Sequence, residues 1–473
     1  MDTNLPMFTG FGGANDIAAL DEMKKALESG YTVPNLTNAG TGGALLRQDI
    51  SPDLIMQTEM AEDVKFWKSI YKPDQKVTNP VFEYSRQNSV GPRGPLSFWN
   101  ADGVLGGEAD SEIERLYEKC KFLSQFRNVN ISMSNLPVLG PSPDAVAKVT
   151  EDATLHMLTL IEMALFDGDD SIDADCINGL KRAAADAGTV IDRRGLDVTP
   201  EQIAQEAVKM REGTSFGRPN QIWTSFSGQN RLGIQIGDSI RRSLNVGQSV
   251  GDGYDATSGV SNVLTTNVGK LAIEGSIFLA PERKKLISTT AVGKNPPATP
   301  SATFVAAGAG GLTSLFTAAD AGDYKYAVAA VGKGCASFVA SSAVTVAAGD
   351  KVTITIAAPS SADTKFYALY RSEKDSADMY FITAKKQTYS GDSLANTVIV
   401  DLNGDLPNTA DTYVLENSPR TMRWRELMGF SRIQLPIPAG TLQYSYAFCS
   451  FGGFIVTKPR CVVRFKNCRS YAA

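Results

Sequence analysis

Near Asn295-Pro296-Pro297 this chain changes character, and the change limits its architecture more than any single motif does. Upstream the sequence reads as helices and scattered strands. Downstream, until about Leu415, there is no Trp and no amphipathic helix. Strand-like runs follow at 324–331, 343–346, 351–357, 365–370, 379–382 and 397–401, separated by turn-forming residues. That pattern predicts a small β-sandwich. After Pro419 the mixed character of the upstream half returns, with strand-like segments at 433–437, 442–448 and 461–465. The simplest account is a discontinuous host domain with an all-β sandwich inserted at 296–416.

The host begins with residues 1–60, rich in Gly, Asn and Thr, with one helical stretch at 16–29 carrying Ala18, Leu20, Met23 and Leu27. An arm with so little core of its own buries its apolar residues on a neighbour. Residues 78–133 read as a long hairpin, with strands at 81–85 and 113–133. Its tip holds Gly91-Pro92-Arg93-Gly94-Pro95, then Gly103, Gly106 and Gly107. A connection of ~25 residues is too long for an ordinary hairpin turn and is expected to be functional or to lie on a partner. The clearest helix starts at Ser142 as N-cap, Pro143 at the first turn and Asp144 at the positive end. Val146, Val149, Ala153, Met157, Leu160, Ile161 and Ala164 then recur at spacings of three and four until Phe166-Asp167-Gly168-Asp169. Such a rod is roughly 36 Å long. Thr199-Pro200-Glu201-Gln202 is a capping box opening a second helix that runs to about Glu212. Segments 221–226 and 271–279 read as strands.

Composition narrows the chemistry. The 473 residues allow about three domains. A net charge of -5 gives no overall case for a nucleic-acid-binding face. His156 is the only histidine, so paired-His metal motifs are absent and a Ser-His-Asp triad has one candidate base with no nameable partners. His156 is therefore expected to be a hydrogen-bonded packing residue. Cys120, Cys176, Cys335, Cys449, Cys461 and Cys468 form no C-x-x-C and are expected to be reduced thiols. The first residues lack the charged and apolar regions of a secretory signal, and no run of eighteen apolar residues predicts a membrane helix. Gly40-Thr41-Gly42-Gly43 and Gly308-Ala309-Gly310-Gly311 lack the Lys-Ser/Thr of a phosphate loop and read as turns. The acidic run from Asp167 to Asp175 has oxygens for a hard cation but not the spacing of a calcium loop. A solvated helix end or salt bridges are expected there instead. Asp323 and Asp350 give no reason to name an acid/base pair. Arg420, Arg423 and Arg425 with Trp424, and Lys458, Arg460, Arg464, Lys466 and Arg469, are basic clusters able to touch phosphates. The alternation of Arg464 and Lys466 favours one polar strand face meeting acidic protein surfaces. No catalytic, cofactor-binding or metal-binding residue is assigned, and the chain is not expected to be an enzyme.

The order of elements (arm, glycine-tipped hairpin, long helix, mixed central domain, basic closing strand) resembles that of tailed-phage major capsid proteins of the Hong Kong 97 shell fold. Phe166-Asp167-Gly168-Asp169 followed by Ile177-Asn178-Gly179-Leu180 is similar to that family's pattern after its long helix. The segment Cys461-Val462-Val463-Arg464-Phe465-Lys466-Asn467 is similar to its closing V-R-x-K-N strand. Residues 297–416 resemble a fibronectin type III or Ig-like domain, through Asp323-Tyr324-Lys325-Tyr326-Ala327-Val328, the run from Lys365 to Arg371, and Val400-Asp401-Leu402.

The resemblance implies an α+β fold of six parts. These are an N-terminal arm at 1–60, an E-loop hairpin with P-domain strands at 61–133, a P-domain spine helix at 134–175, the first part of an A-domain at 176–295, the Ig-like insertion at 296–416, and a return through A- and P-domains with the C-terminal strand at 417–473. It implies the major capsid protein of a tailed double-stranded DNA phage, assembled in the host cytoplasm and resident in the virion. Copies would form pentamers and hexamers of an icosahedral shell, with scaffold, portal and decoration proteins as further partners. DNA would be enclosed without sequence-specific binding, and no cofactor or membrane is involved. The insertion is expected to face outward. Some members join a hairpin Lys to a neighbour's Asn, but residues 82–118 contain no Lys, so non-covalent locking or a decoration protein is expected. The alternatives are an encapsulin-like compartment shell, a secreted carbohydrate-active enzyme, and a secreted or surface binding module carrying a fibronectin-like domain. The enzyme predicts a signal peptide and a carboxylate pair. The binding module sits poorly with the long helix and the discontinuous host.

Overall fold

The computed structural model describes residues 60–73, 78–91, 99–105, 110–134, 144–213, 216–244, 262–309, 312–359, 363–437 and 442–469. The sequence expectations at 1–59, at Pro92–Pro95, at Gly106 and Gly107, and at Ser142 and Pro143 lie outside them.

The long helix spans Ala145–Asp167, and Asp144 caps it by accepting the Ala147 amide at 2.6 Å. Ala153, Met157, Ile161 and Leu165 recur every four residues and form its buried stripe. One charged residue shares that stripe. Glu162 is fully buried and accepts the backbone amides of Phe66 at 2.9 Å and Trp67 at 2.7 Å. Those amides open the short helix Phe66–Ser69, where a carboxylate is favoured.

The chain leaves the long helix through a tight return. The Gly179 amide donates to Gly168 O at 2.9 Å. A Cβ on Gly168 would stand 2.4 Å from both Ala164 O and Ile177 O, and one on Gly179 would stand 2.5 Å from Ala164 O. Only glycine permits that backbone approach. It delivers the chain into helix Leu180–Ala187.

A six-stranded sheet forms the centre of the host. Its order is Val190–Asp192, Val462–Arg469, Thr409–Leu415, Gln221–Thr224, Gly269–Gly275, Val263–Thr266. Alternation splits its apolar residues between two faces. Ile222, Val414, Val463 and Phe465 join Ile203 and Met210 of helix Pro200–Glu212 and Leu232 and Ile236 of helix Phe226–Leu244. Trp223, Tyr413 and Val462 face Ile161, Leu165 and Phe166 of the long helix. A second sheet pairs the strands Met422–Leu435 and Gln443–Val456, each of 14 residues, with Lys121–Asn130 on the outside. The hairpin strands Val81–Ser89 and Glu112–Lys119 pair antiparallel and root through Phe82 against Cys120 and Ile455.

The inserted region is a β-sandwich. A four-stranded sheet (Ala336–Ala340, Tyr326–Val331, Phe366–Ser372, Met379–Lys386) packs on a three-stranded one (Thr397–Asp401, Asp350–Ile356, Ala302–Gly308). Tyr326, Val328, Tyr367 and Leu369 meet Val352, Ile354, Ile356 and Ile399 between them.

Several sequence expectations need correction. Thr409–Leu415, placed by sequence within 296–416, pairs with the 462–469 and 221–224 strands and so belongs to the host sheet. Strand pattern alone does not reveal which sheet a strand joins. The expected strand 113–133 is broken at Cys120, whose amide donates to Pro80 O at 2.7 Å, and ends in a helical turn at Ile131–Ser134. The expected strand 271–279 stops at Gly275 before a 3-10 turn. Helix Phe226–Leu244 replaces the end of the 221–226 strand.

Burial, opposed only in part by the Trp67, Phe66 and Lys65 amides, pushes the Glu162 carboxyl up to about 7. The folded protein then binds this proton more tightly than the unfolded chain does. Its contribution to stability is full below about pH 4.5 and is lost as pH rises through about 7. Glu162→Gln should remove that dependence between pH 5 and 8. It should also cost about 1–3 kcal/mol, because an amide offers only one acceptor to two N–H donors. Urea unfolding of both proteins across this range checks the expectation, and parallel pH profiles would contradict it.

Candidate functional site

The residues with most chemical potential are engaged in holding the chain together. Among the described residues no group of three or more His, Cys, Asp or Glu is placed to hold a metal ion. Within the acidic run, Asp169 accepts the Ser171 amide at 2.9 Å and lies 3.5 Å from Arg182. Asp173 and Asp175 take Lys365 of the sandwich at 3.4 and 2.7 Å. His156 is exposed rather than packed, with Nδ1 2.8 Å from the Gln125 side-chain amide. Asp323 accepts from Thr345 across a strand pair and Asp350 accepts the Ala347 amide in a turn, so the two are engaged separately. Gly308 ends a strand, while Gly310 and Gly311 lie outside the described residues. All six cysteines are free thiols, and burial pushes Cys468 up to about 12, which leaves it unreactive.

The basic closing strand does not form the expected polar face. Arg464 is buried, with its guanidinium on Asp411 Oδ1 and Oδ2 at 3.2 and 3.0 Å, and Lys284 Nζ reaches the same carboxylate at 3.3 Å. Burial alone would push the Asp411 carboxyl up. Arg464 and Lys284 outweigh it and hold the group well below the usual carboxylate range. Lys466 Nζ donates to Gly404 O at 2.9 Å and pairs with Asp405 at 3.2 Å. Asn467 donates to Asp192 at 2.7 Å and accepts the Leu406 amide at 2.8 Å. The alternating polar residues therefore do meet acidic groups, but groups of their own chain. They staple the segment leaving the sandwich to the host sheet. The upstream cluster is likewise structural in part: Trp424 is buried edge-on to Trp67, with ring centroids 4.5 Å apart.

A second polar knot faces the first across that segment. Arg371, also buried, donates to Asp401 at 2.6 Å, Asn403 Oδ1 at 2.8 Å and Asp405 O at 3.1 Å. Tyr326 donates to the same Asp401 carboxylate at 3.0 Å. From the host, Arg194 hydrogen-bonds Asn403 O and reaches Leu315 O at 3.1 Å. On the lead-in side Lys285 pairs with Asp378 at 2.7 Å, and the Leu286 amide donates to Met379 O at 2.8 Å. The segments noted for their fibronectin-like resemblance contain Tyr326, Arg371 and Asp401, but do not show that the three meet. Asp411 was the findable one, as a lone carboxylate in the apolar run Ala410-Asp411-Thr412-Tyr413-Val414-Leu415.

What remains for function is surface. Trp99 and Leu105, toward the hairpin tip, are 94% and 95% exposed. Phe122 and Phe126 stand out from the 121–130 strand, and Phe122 borders a shallow apolar groove of about 90 Å³ with Leu160, Ala164 and Ile177. Large apolar side chains left in water along one chain mark contacts with other proteins. These exposed apolar side chains suit the described surface to association.

Comparison with known proteins finds similarity to phage capsid proteins. No family model matches the chain. The major capsid protein of Staphylococcus phage K is 25% identical over 470 residues, covering 96% of both chains. The putative major capsid protein of Enterococcus phage phiEF24C is 24% identical over 469 residues, again 96% of each. The capsid of Myoviridae phage XM1 aligns with 90% of this chain and 99% of its own, at a TM-score of 0.45 and 8% identity.

Replacing Asp411 with Asn should leave Arg464 and Lys284 buried without their counter-charge. The expected cost is about 3–5 kcal/mol. Denaturant unfolding reads this directly, and a loss under about 1 kcal/mol would mean the trio is solvated.

Proposed function

We infer that this chain is the major capsid protein of a tailed bacteriophage, one of many identical copies that form the shell of the virion. The observation that carries the reading is the match to proteins of that name over 96% of both lengths. Chance similarity or a shared module would not align nearly whole chains end to end.

The parts take natural roles in a shell of the Hong Kong 97 type. Helix Ala145–Asp167 and the long three-stranded sheet are the spine and P-domain, and the six-stranded sheet is the A-domain. The hairpin 81–119 is the E-loop and lies over an adjacent copy, which covers Trp99 and Leu105. The sandwich between Ala302 and Asp401 is an Ig-like or fibronectin type III insertion on the outer surface. Its ion pairs, Lys365 to Asp173 and Asp175 and Asp320 to Arg194, favour a body carried rigidly by the host, not one on a tether. Pentamers and hexamers close because rotational contacts are satisfied in a finite ring. Modest pairwise contacts suffice, since each copy engages several neighbours at high effective concentration. Residues 82–118 contain no Lys, and Lys119 pairs with Val81 at the hairpin's root, so the tip locks by packing and not by a covalent link from a lysine of its own. Scaffold, portal and decoration proteins complete assembly around double-stranded DNA. An acidic wall confines DNA without holding its phosphates. The role is structural and no reaction is assigned.

Sedimentation of the purified full-length protein, with scaffold supplied if required, should give fast particles that electron microscopy resolves as closed shells or rings. Trp99→Asp should leave unfolding within about 0.5 kcal/mol of the parent, since the residue is exposed. It should also reduce particles at least about tenfold by placing a charge in an apolar contact. A parent that stays monomeric under all these conditions would contradict the reading, and a variant that assembles normally would remove the hairpin tip from the contact.

A further inference from the structure

The three-stranded sheet has two outer strands, and they end the sheet differently. Along Met422–Leu435 the register shifts twice, between Glu426 and Met428 and between Met428 and Ser431, and the Trp424 amide donates to Tyr71 O at 2.9 Å. Bulges and a covering segment keep a sheet edge from pairing further. The opposite strand, Lys121–Asn130, follows residues 443–452 of the middle strand one for one, without a shift. Among the described residues its other side pairs with no strand. A regular edge of 10 residues presents a row of N–H and C=O groups for a further strand. The side chains beside it suit such an addition. Phe122 and Phe126 are exposed on one face of the strand. Leu123, on the opposite face, lines the groove of about 90 Å³ together with Leu160 and Ala164 of the long helix, Ile177 and Trp424. Trp424 is buried, and its indole N–H has no acceptor among the described residues.

Extended chains add to open edges through backbone hydrogen bonds, and pockets beside the edge select their side chains. Charge narrows the choice here. The only charged side chains of the strand are Lys121 and Arg127, both basic and on one face. Lys121 Nζ donates to a neutral carbonyl, Ala174 O. A second copy of the same strand would set basic against basic, which disfavours pairing of the edge with itself. We propose that the outer edge of strand Lys121–Asn130 binds an extended, apolar segment of a partner protein whose carboxylates face Lys121 and Arg127. One apolar side chain of that segment enters the groove beside Leu160 and Ala164, while Phe122 and Phe126 pack on it from the other face. The inference goes beyond the shell reading and does not rest on it.

Two peptide probes test it. Each is blocked at both ends and carries alternating valine and threonine, flanked in one by two glutamates and in the other by two lysines, with the spacing of Lys121 and Arg127. Both are titrated against the unassembled full-length protein. The glutamate peptide should bind roughly tenfold or more tightly than the lysine peptide, and the double variant Lys121→Glu, Arg127→Glu should reverse that order. Amide hydrogen exchange within 121–130 of the parent should slow in the complex. That readout uses the parent alone and stands even if the variant does not fold. No binding of either peptide up to about 1 mM, equal binding of both, or unchanged exchange within 121–130 would each overturn the proposal. Exchange that slows within 121–130 when the protein assembles with nothing added would also overturn it, because a second copy would then occupy the edge. A failure to form particles bears on the shell reading alone, since the titrations need no assembly.

Discussion

One buried carboxylate holds the host core in register. Glu162 lies on the apolar stripe of the long helix and accepts two amides from the segment that begins the described chain. That fixes Phe66 and Trp67 where four distant stretches of sequence converge. Phe66 stacks on Phe166 at 5.0 Å and meets Trp223 at 5.1 Å and Phe454 at 6.4 Å, while Trp67 meets Trp424 at 4.5 Å. Helix, central sheet and long hairpin sheet thus share one aromatic cluster. Desolvating Glu162 is costly, and the two amides that offset it would themselves be unsatisfied without it. The arrangement trades stability near neutral pH for a defined position.

The same logic recurs where the sandwich joins the host. Asp411 gathers Arg464 and Lys284, and Asp401 gathers Arg371 and Tyr326. Between them the segment 402–408 is held from both sides, by Asn403 toward the sandwich and by Lys466 and Asn467 toward the host. Charge within this molecule serves chiefly to fix one part against another. Large apolar side chains such as Trp99 and Leu105 stand exposed apart from these engaged charges.

Much of this was legible in the sequence where a local rule and the tertiary outcome agree. The long helix followed from its period, helix Pro200–Glu212 from the Thr199 capping box, and most sandwich strands from alternation. Strands Ala302–Gly308 and Ala336–Ala340 escaped because Ala and Gly carry little strand signal. Helix Phe226–Leu244 escaped because its glycines and polar residues blur the apolar stripe. The sheet that Thr409–Leu415 joins was not legible, since pairing partners far apart in sequence leave no local mark. Arg464 and Lys466 suggested an outward face because alternation reports two sides of a strand without saying that loops cover one of them. The Gly168–Gly179 approach lay within a motif noted for its resemblance, but its physical reason, a contact too close for any Cβ, needed the structure.

If the chain is a shell subunit whose inserted sandwich is fixed to the host and faces outward, cryo-electron microscopy of assembled particles, at a resolution that separates strands, will show it. The expected map is a closed shell with the sandwich on its outer surface, resolved as well as the six-stranded sheet beside it, and with Lys365 against Asp173 and Asp175 in every copy. A shell with the sandwich inside, or with the sandwich smeared by motion about residues 402–408, would contradict it.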